Sequence, residues 1–126
     1  MGDRAIFGFR NGANAPVLYL YSHWGGEEQE QDLAKALFAA HPRWSDESYA
    51  TRICVSHLIG DQWDKETGFG LSVGITTDPD YDYHYIVDWF HGEVIKMVQR
   101  EYDWEKEDKM SLATFMHHNL RPLLAV

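Results

Sequence analysis

The alternation of apolar and polar side chains predicts five β-strands, because successive residues of a strand face opposite sides of its sheet. The clearest alternation predicts a strand over 69–76, in which large apolar residues alternate with small residues. The large residues are Phe69, Leu71, Val73 and Ile75. The second face of this strand is almost bare of side chains, which is typical of a surface under a close-packed element or of a groove. The other strands are predicted over 4–10, 17–22, 81–89 and 94–102.

Apolar residues at helical spacing predict two helices between the second and third strands. The first is predicted over 27–40 and ends at His41-Pro42, since the residue before a proline avoids helical angles. The second is predicted to start at Ser45 and to end at Gly60, although the β-branched segment 53–55 leaves a strand open as an alternative. Its expected inner face consists of Ala50, Ile53, Cys54, His57 and Leu58.

A last helix is predicted after Ser111 and is expected to end at Pro122, which leaves 121–126 as a tail. Its inward side chains are expected to be Leu112, Phe115, Met116 and Leu120. The charged residues 103–109 are predicted to be a link. The predicted order β-β-α-α-β-β-β-α indicates one α+β domain over 1–126, with an antiparallel sheet of about five strands, its first two in a hairpin, and helices packed on one face.

The turn between the second strand and the first helix is a candidate binding site for a ligand or a partner. The residues gathered there are Tyr19, Tyr21, His23, Trp24, Gly25 and Gly26. A glycine turn before a helix N-terminus offers free amides to an anion, but Glu27, Glu28 and Glu30 would repel one. The alternative interpretation is a strand-to-helix turn with an aromatic lid.

Composition limits the classes of function. The chain has 126 residues, of which 14% are aromatic, and a net charge of −9, which disfavours nucleic-acid binding and fits a basic partner. Its single cysteine, Cys54, allows no internal disulfide and is expected to be a buried, inert thiol. No signal peptide and no transmembrane stretch is predicted, so we expect a soluble cytoplasmic protein.

No set of residues predicts a catalytic centre, a metal site or a cofactor. Three acids and a histidine at alternate positions could bind a hard cation: Asp78, Asp80, Asp82 and His84. The glycine and the distal glutamate of a calcium loop are missing, however. Cys54 and His57 could touch on one helix, yet nothing places an acid or an oxyanion hole beside them. His57 alone is more typical of a core residue than of an acid-base group.

Tyrosines also alternate along the strand over 81–89. Tyr83 and Tyr85 share a face that would join Tyr19 and Tyr21 if the two strands were neighbours. Tyr and Trp are favoured anchors of protein interfaces, so this face is a candidate partner-binding surface. The alternative is an aromatic core beneath the helices.

Three segments resemble small proteins encoded by bacteriophages of actinobacteria: Arg4-Ala5-Ile6-Phe7-Gly8-Phe9, Leu20-Tyr21-Ser22-His23-Trp24-Gly25-Gly26 and Gly68-Phe69-Gly70-Leu71-Ser72. The resemblance spans most of the chain. It implies a phage accessory protein that binds host proteins, and it carries no known activity, so it assigns no role to any residue.

The leading hypothesis is a non-catalytic protein that binds a partner protein, a host protein if the chain is phage-encoded. The alternative is a binder of a small ligand or nucleotide derivative, or a hydrolase, built at the corner from Tyr21 to Glu27. A homodimer through an exposed sheet edge or the tyrosine face is a third hypothesis.

Overall fold

The computed structural model describes residues 4–74, 83–100 and 103–124. Six strands are present: β1 (Ala5–Arg10), β2 (Leu18–Ser22), β3 (Phe69–Ser72), β4 (Tyr83–Asp88), β5 (Glu93–Arg100) and β6 (Asp103–Ser111). Three α-helices are present, α1 (Gln29–Ala40), α2 (Glu47–Ile59) and α3 (Leu112–Leu124), and a short 3-10 helix (His41–Arg43) follows α1. The predicted α+β class is therefore confirmed. Within the described ranges, no helix is both long and apolar enough to cross a membrane.

The strands form one sheet in the order β3-β2-β1-β4-β5-β6. The predicted hairpin of β1 and β2 is confirmed, with Ala5 opposite Ser22. β4 pairs in parallel with β1, and every other neighbouring pair is antiparallel. The prediction of an antiparallel sheet of about five strands was therefore only partly right, because β4 enters beside β1 and makes the sheet mixed.

The charged segment after β5 is a strand and not the predicted link. β6 pairs with β5 along its length, and a register irregularity lies at Lys96 and Met97. Ion pairs accompany the backbone pairing, with Lys96 Nζ at 3.2 Å from Glu107 Oε1 and Lys109 Nζ at 3.6 Å from Glu93 Oε2. A strand exposed at a sheet edge needs no apolar face, so hydrophobic alternation gives no sign of it.

All three helices contact the same face of the sheet. Glu30 of α1 accepts a hydrogen bond from Tyr85, and Thr51 of α2 accepts one from the Trp89 indole, both at 2.9 Å. Phe115 of α3 packs its ring 5.3 Å from that of Tyr85. The core between the layers includes Phe7, Phe9, Leu20, Leu33, Leu37, Val87 and Val94. Each such side chain stabilises the fold by about 2 kcal/mol.

The helix boundaries follow the sequence signals closely. α1 ends at Ala40 before His41-Pro42, and Gly60 follows α2 with φ of 65°, both as predicted. Two expectations for the helices were wrong. His57 is exposed because the buried stripe of α2 turns toward Val55 and Ile59, and α3 continues past Pro122 to Leu124, since a proline near a helix end costs few backbone hydrogen bonds.

Candidate functional site

The predicted corner after β2 is a fixed turn that carries two exposed rings. The main-chain N–H of His23 donates to the Gly68 carbonyl, and the Tyr21 hydroxyl lies 2.9 Å from His23 Nδ1. Trp24 is 61% exposed, and its ring lies against Gly68, where φ is +104°. His23 and Trp24 line none of the three cavities described below.

The two glycines of this corner allow the chain to pack closely. A Cβ at Gly25 would lie 3.0 Å from the Ser22 hydroxyl oxygen, so a larger residue would crowd the end of β2. The carbonyl of Gly26 accepts a hydrogen bond of 3.2 Å from the Gln29 side chain. α1 carries acids in its first turn, at Glu30 and Asp32, as its helix dipole favours.

The tyrosines proposed as one surface lie on opposite faces of the sheet. β1 separates β2 from β4, and the register places Tyr19 opposite Gly8 but Tyr85 opposite Phe7 of the core. Tyr83 and Tyr85 therefore face the helices, while Tyr19 and Tyr21 face away. Tyr85 is buried, which favours the aromatic-core interpretation for that pair.

Tyr83 and Tyr85 hold a glutamate of α1. Both hydroxyls donate to Glu30 Oε2 at 2.9 Å. Burial, followed by the hydrogen bond to Glu30, raises the pKa of Tyr85 well above its ordinary value. A cavity of about 240 Å³ opens beside this group, and its other lining residues include Lys96, Glu107, Phe115 and His118.

A second polar cluster joins the ends of β1 and β4. Asp88 is fully buried and accepts hydrogen bonds from Arg10 Nε at 2.9 Å and from the main-chain N–H of Gly12 at 3.1 Å. The main-chain N–H of His91 donates to Asp88 Oδ1 at 3.1 Å, and the ring Nδ1 of His91 lies 3.1 Å from Asp88 Oδ2. Burial alone would raise the pKa of Asp88, but the hydrogen bonds from His91 and Arg10 outweigh it and lower that pKa. The arrangement clamps two loops to the sheet.

The alternating acids that the sequence analysis considered and rejected as a calcium loop, Asp78, Asp80 and Asp82, lie outside the described residues. His84 is 1% exposed and packs between the rings of Tyr19 and Trp104, at 5.9 and 4.5 Å. Neither of its ring nitrogens has a hydrogen-bond partner in the described chain, and burial lowers the pKa of His84 to about 4. In the part of the chain that the structure describes, no group of three or more His, Cys, Asp or Glu could hold a metal ion.

Large apolar side chains are exposed in several places, and three of them line one cavity beside β3. Those that are exposed within the described ranges are Trp24, Phe38, Tyr49, Trp63, Leu71, Val73 and Phe90. Trp63, Leu71 and Val73 together line a cavity of about 600 Å³ between α2 and the β2–β3 side of the sheet. A second cavity of about 200 Å³ shares Trp63 and Leu71 with it. We call these two neighbouring cavities together the β3 groove, and we define it by Trp63, Leu71 and Val73.

The floor of the β3 groove is apolar and its rim is charged. Phe9, Leu18 and Val55 line the larger cavity, and Leu20, Ile59 and Phe69 line the smaller one. In the loop that carries Trp63, Lys65 lines the smaller cavity, and Asp61, Asp64 and Glu66 are exposed but line neither cavity. Arg52 and Glu47 of α2 also line the groove.

Residues 61–68 are mostly polar and by themselves predict only a connection between α2 and β3, so the sequence analysis does not identify this groove. The available signal was a tryptophan in a charged loop, followed by a short strand with apolar residues on one face. Trp63 of that loop lies on the side of β3 that carries Leu71, and a contact made by an irregular loop leaves no periodicity in the sequence.

Comparison of the chain with known protein families, with curated proteins and with solved structures gives no match. The resemblance to phage proteins therefore stays a prediction.

Proposed function

We propose that the protein is a non-catalytic binding protein that engages a partner protein through the β3 groove. The observation that carries the proposal is the clustering of Trp63, Leu71 and Val73, which are 53%, 49% and 72% exposed, around one depression. Scattered exposed apolar residues are ordinary, but a contiguous apolar patch with a charged rim is typical of an interaction site.

The composition of the groove fits a protein partner. Tryptophan is enriched among the residues that carry most of the energy at protein interfaces, and it acts best where it fills or borders a pocket. Trp63 stands between the two cavities of the groove and borders both. The charged residues around it match the polar rim that surrounds the apolar centre of an interface.

Charge favours a basic partner over a second copy of the chain. The protein has a net charge of −9, which is the charge argument for a cationic partner, while the charged residues that line the groove itself are Arg10, Arg52, Lys65 and Glu47. Such a field attracts a cationic segment and repels a second copy. If the chain is phage-encoded, as the resemblance implies, the partner we propose is a host protein.

A displayed library of random peptides, selected on the immobilised protein, tests this proposal. We expect the selected peptides to bind the wild-type chain and to lose at least tenfold in affinity against Trp63→Ser and against Leu71→Ser, since truncating an interface anchor costs about 2 kcal/mol.

Phe38→Ser and Phe90→Ser are the matched controls, because each removes an exposed apolar side chain outside the groove. Both controls are expected to keep the wild-type affinity. The proposal fails if no peptide is selected, or if the groove variants and the controls lose affinity equally.

A further inference from the structure

We infer that the partner segment binds as an added β-strand, which pairs its main chain with the open edge of β3 while its side chains enter the β3 groove. This inference rests on the proposed function and specifies the kind of segment that the groove accepts: an extended one, apolar at alternate positions and basic between them.

The main chain of β3 has free groups at known positions. In an antiparallel pair, opposed residues alternate between those that exchange hydrogen bonds and those that do not. The His23 N–H donates to the Gly68 carbonyl at 2.9 Å, so this opposed pair is a bonded one. The register then makes Tyr21 and Gly70 the next bonded pair. Phe69 and Leu71 therefore point their N–H and C=O groups away from β2.

This edge is open to a partner. β3 is the terminal strand of the sheet within the described ranges, and residues 70–74 are exposed. An unpaired strand edge is a template for another strand, and a strand added there would lie about 4.8 Å from β3.

The two edges of the sheet differ in a way that singles out β3. Proteins protect open edges with charged side chains, prolines or bulges. β6, at the opposite edge, carries five consecutive charged residues, Glu105 to Lys109. β3 has the sequence Phe-Gly-Leu-Ser and carries no such protection.

Side-chain direction links the edge to the groove. Leu71 lies opposite Leu20 of the core and so faces the helix side, where Trp63 lies. An added strand places every second side chain on that same side. Apolar residues there would contact Leu71 and Trp63, while the residues between them face the other side of the sheet. Those intervening positions face away from Arg10 and Arg52, which line the groove, and the net charge of −9 favours lysine or arginine there.

A nonapeptide of alternating valine and lysine is the probe, and hydrogen exchange of individual amides is the readout. With the peptide at saturation, the amides of Phe69 and Leu71 are expected to exchange at least tenfold more slowly, while that of Gly70, already bonded to β2, changes little. N-methylation of the peptide residues whose N–H groups point toward β3 should weaken the affinity at least tenfold. N-methylation of the intervening residues, whose N–H groups point away from β3, should leave the affinity within twofold.

The outcomes separate this inference from the proposed function. If library-selected peptides bind through Trp63 but neither they nor the alternating peptide slows the two amides, the added strand is wrong and the groove still binds a partner. If the two amides are already slow in a dimer of the free protein, the occupant is a second copy and the inference is overturned.

Discussion

At the scale of single residues, two buried ionisable side chains meet opposite surroundings. His84 is 1% exposed and lies between two rings, so it is held neutral. Asp88 is 0% exposed and is surrounded by donors, so it is held charged. Both make the stability of the protein depend on pH, and both lose stability as the pH falls.

The burial of His84 sets the first prediction. Its pKa falls from 6.5 to about 4 on folding, so below about pH 6.5 the unfolded chain takes up a proton that the folded chain refuses. The free energy of unfolding should therefore drop by about 2 kcal/mol between about pH 7 and about pH 5 on account of this ring. In His84→Phe, which keeps an aromatic ring, that share of the drop should vanish.

Urea unfolding at the two pH values measures this difference. His57→Gln is the control, because His57 is exposed, and it should keep the wild-type decline. An equal decline in wild type and His84→Phe would contradict the account of a desolvated, neutral ring.

The clamp around Asp88 sets the second prediction. Its lowered pKa means that the stabilisation is present above the ordinary aspartate range and disappears as the pH falls through the folded-state value. Asp88→Ala leaves Arg10 and two loop amides without their acceptor and should cost about 3 kcal/mol at neutral pH.

Glu105→Ala is the comparison for Asp88→Ala. Its carboxylate pairs with Arg100 at 3.9 Å on the surface, where such a pair contributes less than about 1 kcal/mol. Chemical denaturation of both variants gives the two values, and similar losses would show that the clamp adds nothing beyond a surface ion pair.

Some residue-level features were predictable and others were not. Cys54 was expected to be buried because its neighbours are apolar, and it is: burial raises the pKa of its thiol to about 12. Trp63 was not singled out, because its surroundings depend on where a charged loop returns across the sheet. Sequence neighbours indicate burial within a helix, but they do not indicate how an irregular loop lies against the strand that follows it.

At the scale of elements, the corner between β2 and α1 depends on β3. Gly68 has φ of +104°, and its carbonyl accepts a hydrogen bond from the main-chain N–H of His23. The Trp24 ring packs against its Cα, where another residue would carry a Cβ. The turn that the sequence indicated is therefore completed by a segment more than forty residues later.

Gly68→Ala tests this dependence. An added Cβ would overlap the Trp24 ring, and the positive φ strains any L side chain, so the variant should lose about 1–3 kcal/mol of unfolding free energy. Gly70→Ala is the matched control, since no atom lies within 4 Å of a Cβ there. Thermal and urea unfolding should show a lower stability for Gly68→Ala than for Gly70→Ala. Equal stability of the two variants would mean that the contact between Trp24 and Gly68 does not stabilise the corner.

The elements also show how far periodicity reaches. Every predicted strand or helix with an apolar stripe has a counterpart among the described residues, whereas β6 was missed because its side chains are charged on both faces. The pairing of β4 with β1 was missed as well. Strand order follows from packing between distant segments, and alternation within one strand does not encode it.

At the scale of the whole molecule, charge and shape indicate the same kind of partner. The chain carries −9 overall, exposes Trp63, Leu71 and Val73 around the β3 groove, and leaves the β3 edge without the charged side chains that β6 carries. Repulsion between copies favours a monomer in solution and a basic occupant of the groove. The sequence analysis proposes the tyrosines and the corner after β2 as the binding site, whereas the proposal made from the structure is the β3 groove.

The most direct measurement is a nuclear magnetic resonance titration of the isotope-labelled protein with a peptide selected on it. The account predicts that the Trp63 indole N–H and the amides of residues 69–74 shift most, while signals around His23 and Glu30 stay in place. The largest shifts at Tyr21, His23 and Trp24, or around Glu30, would contradict binding at the β3 groove.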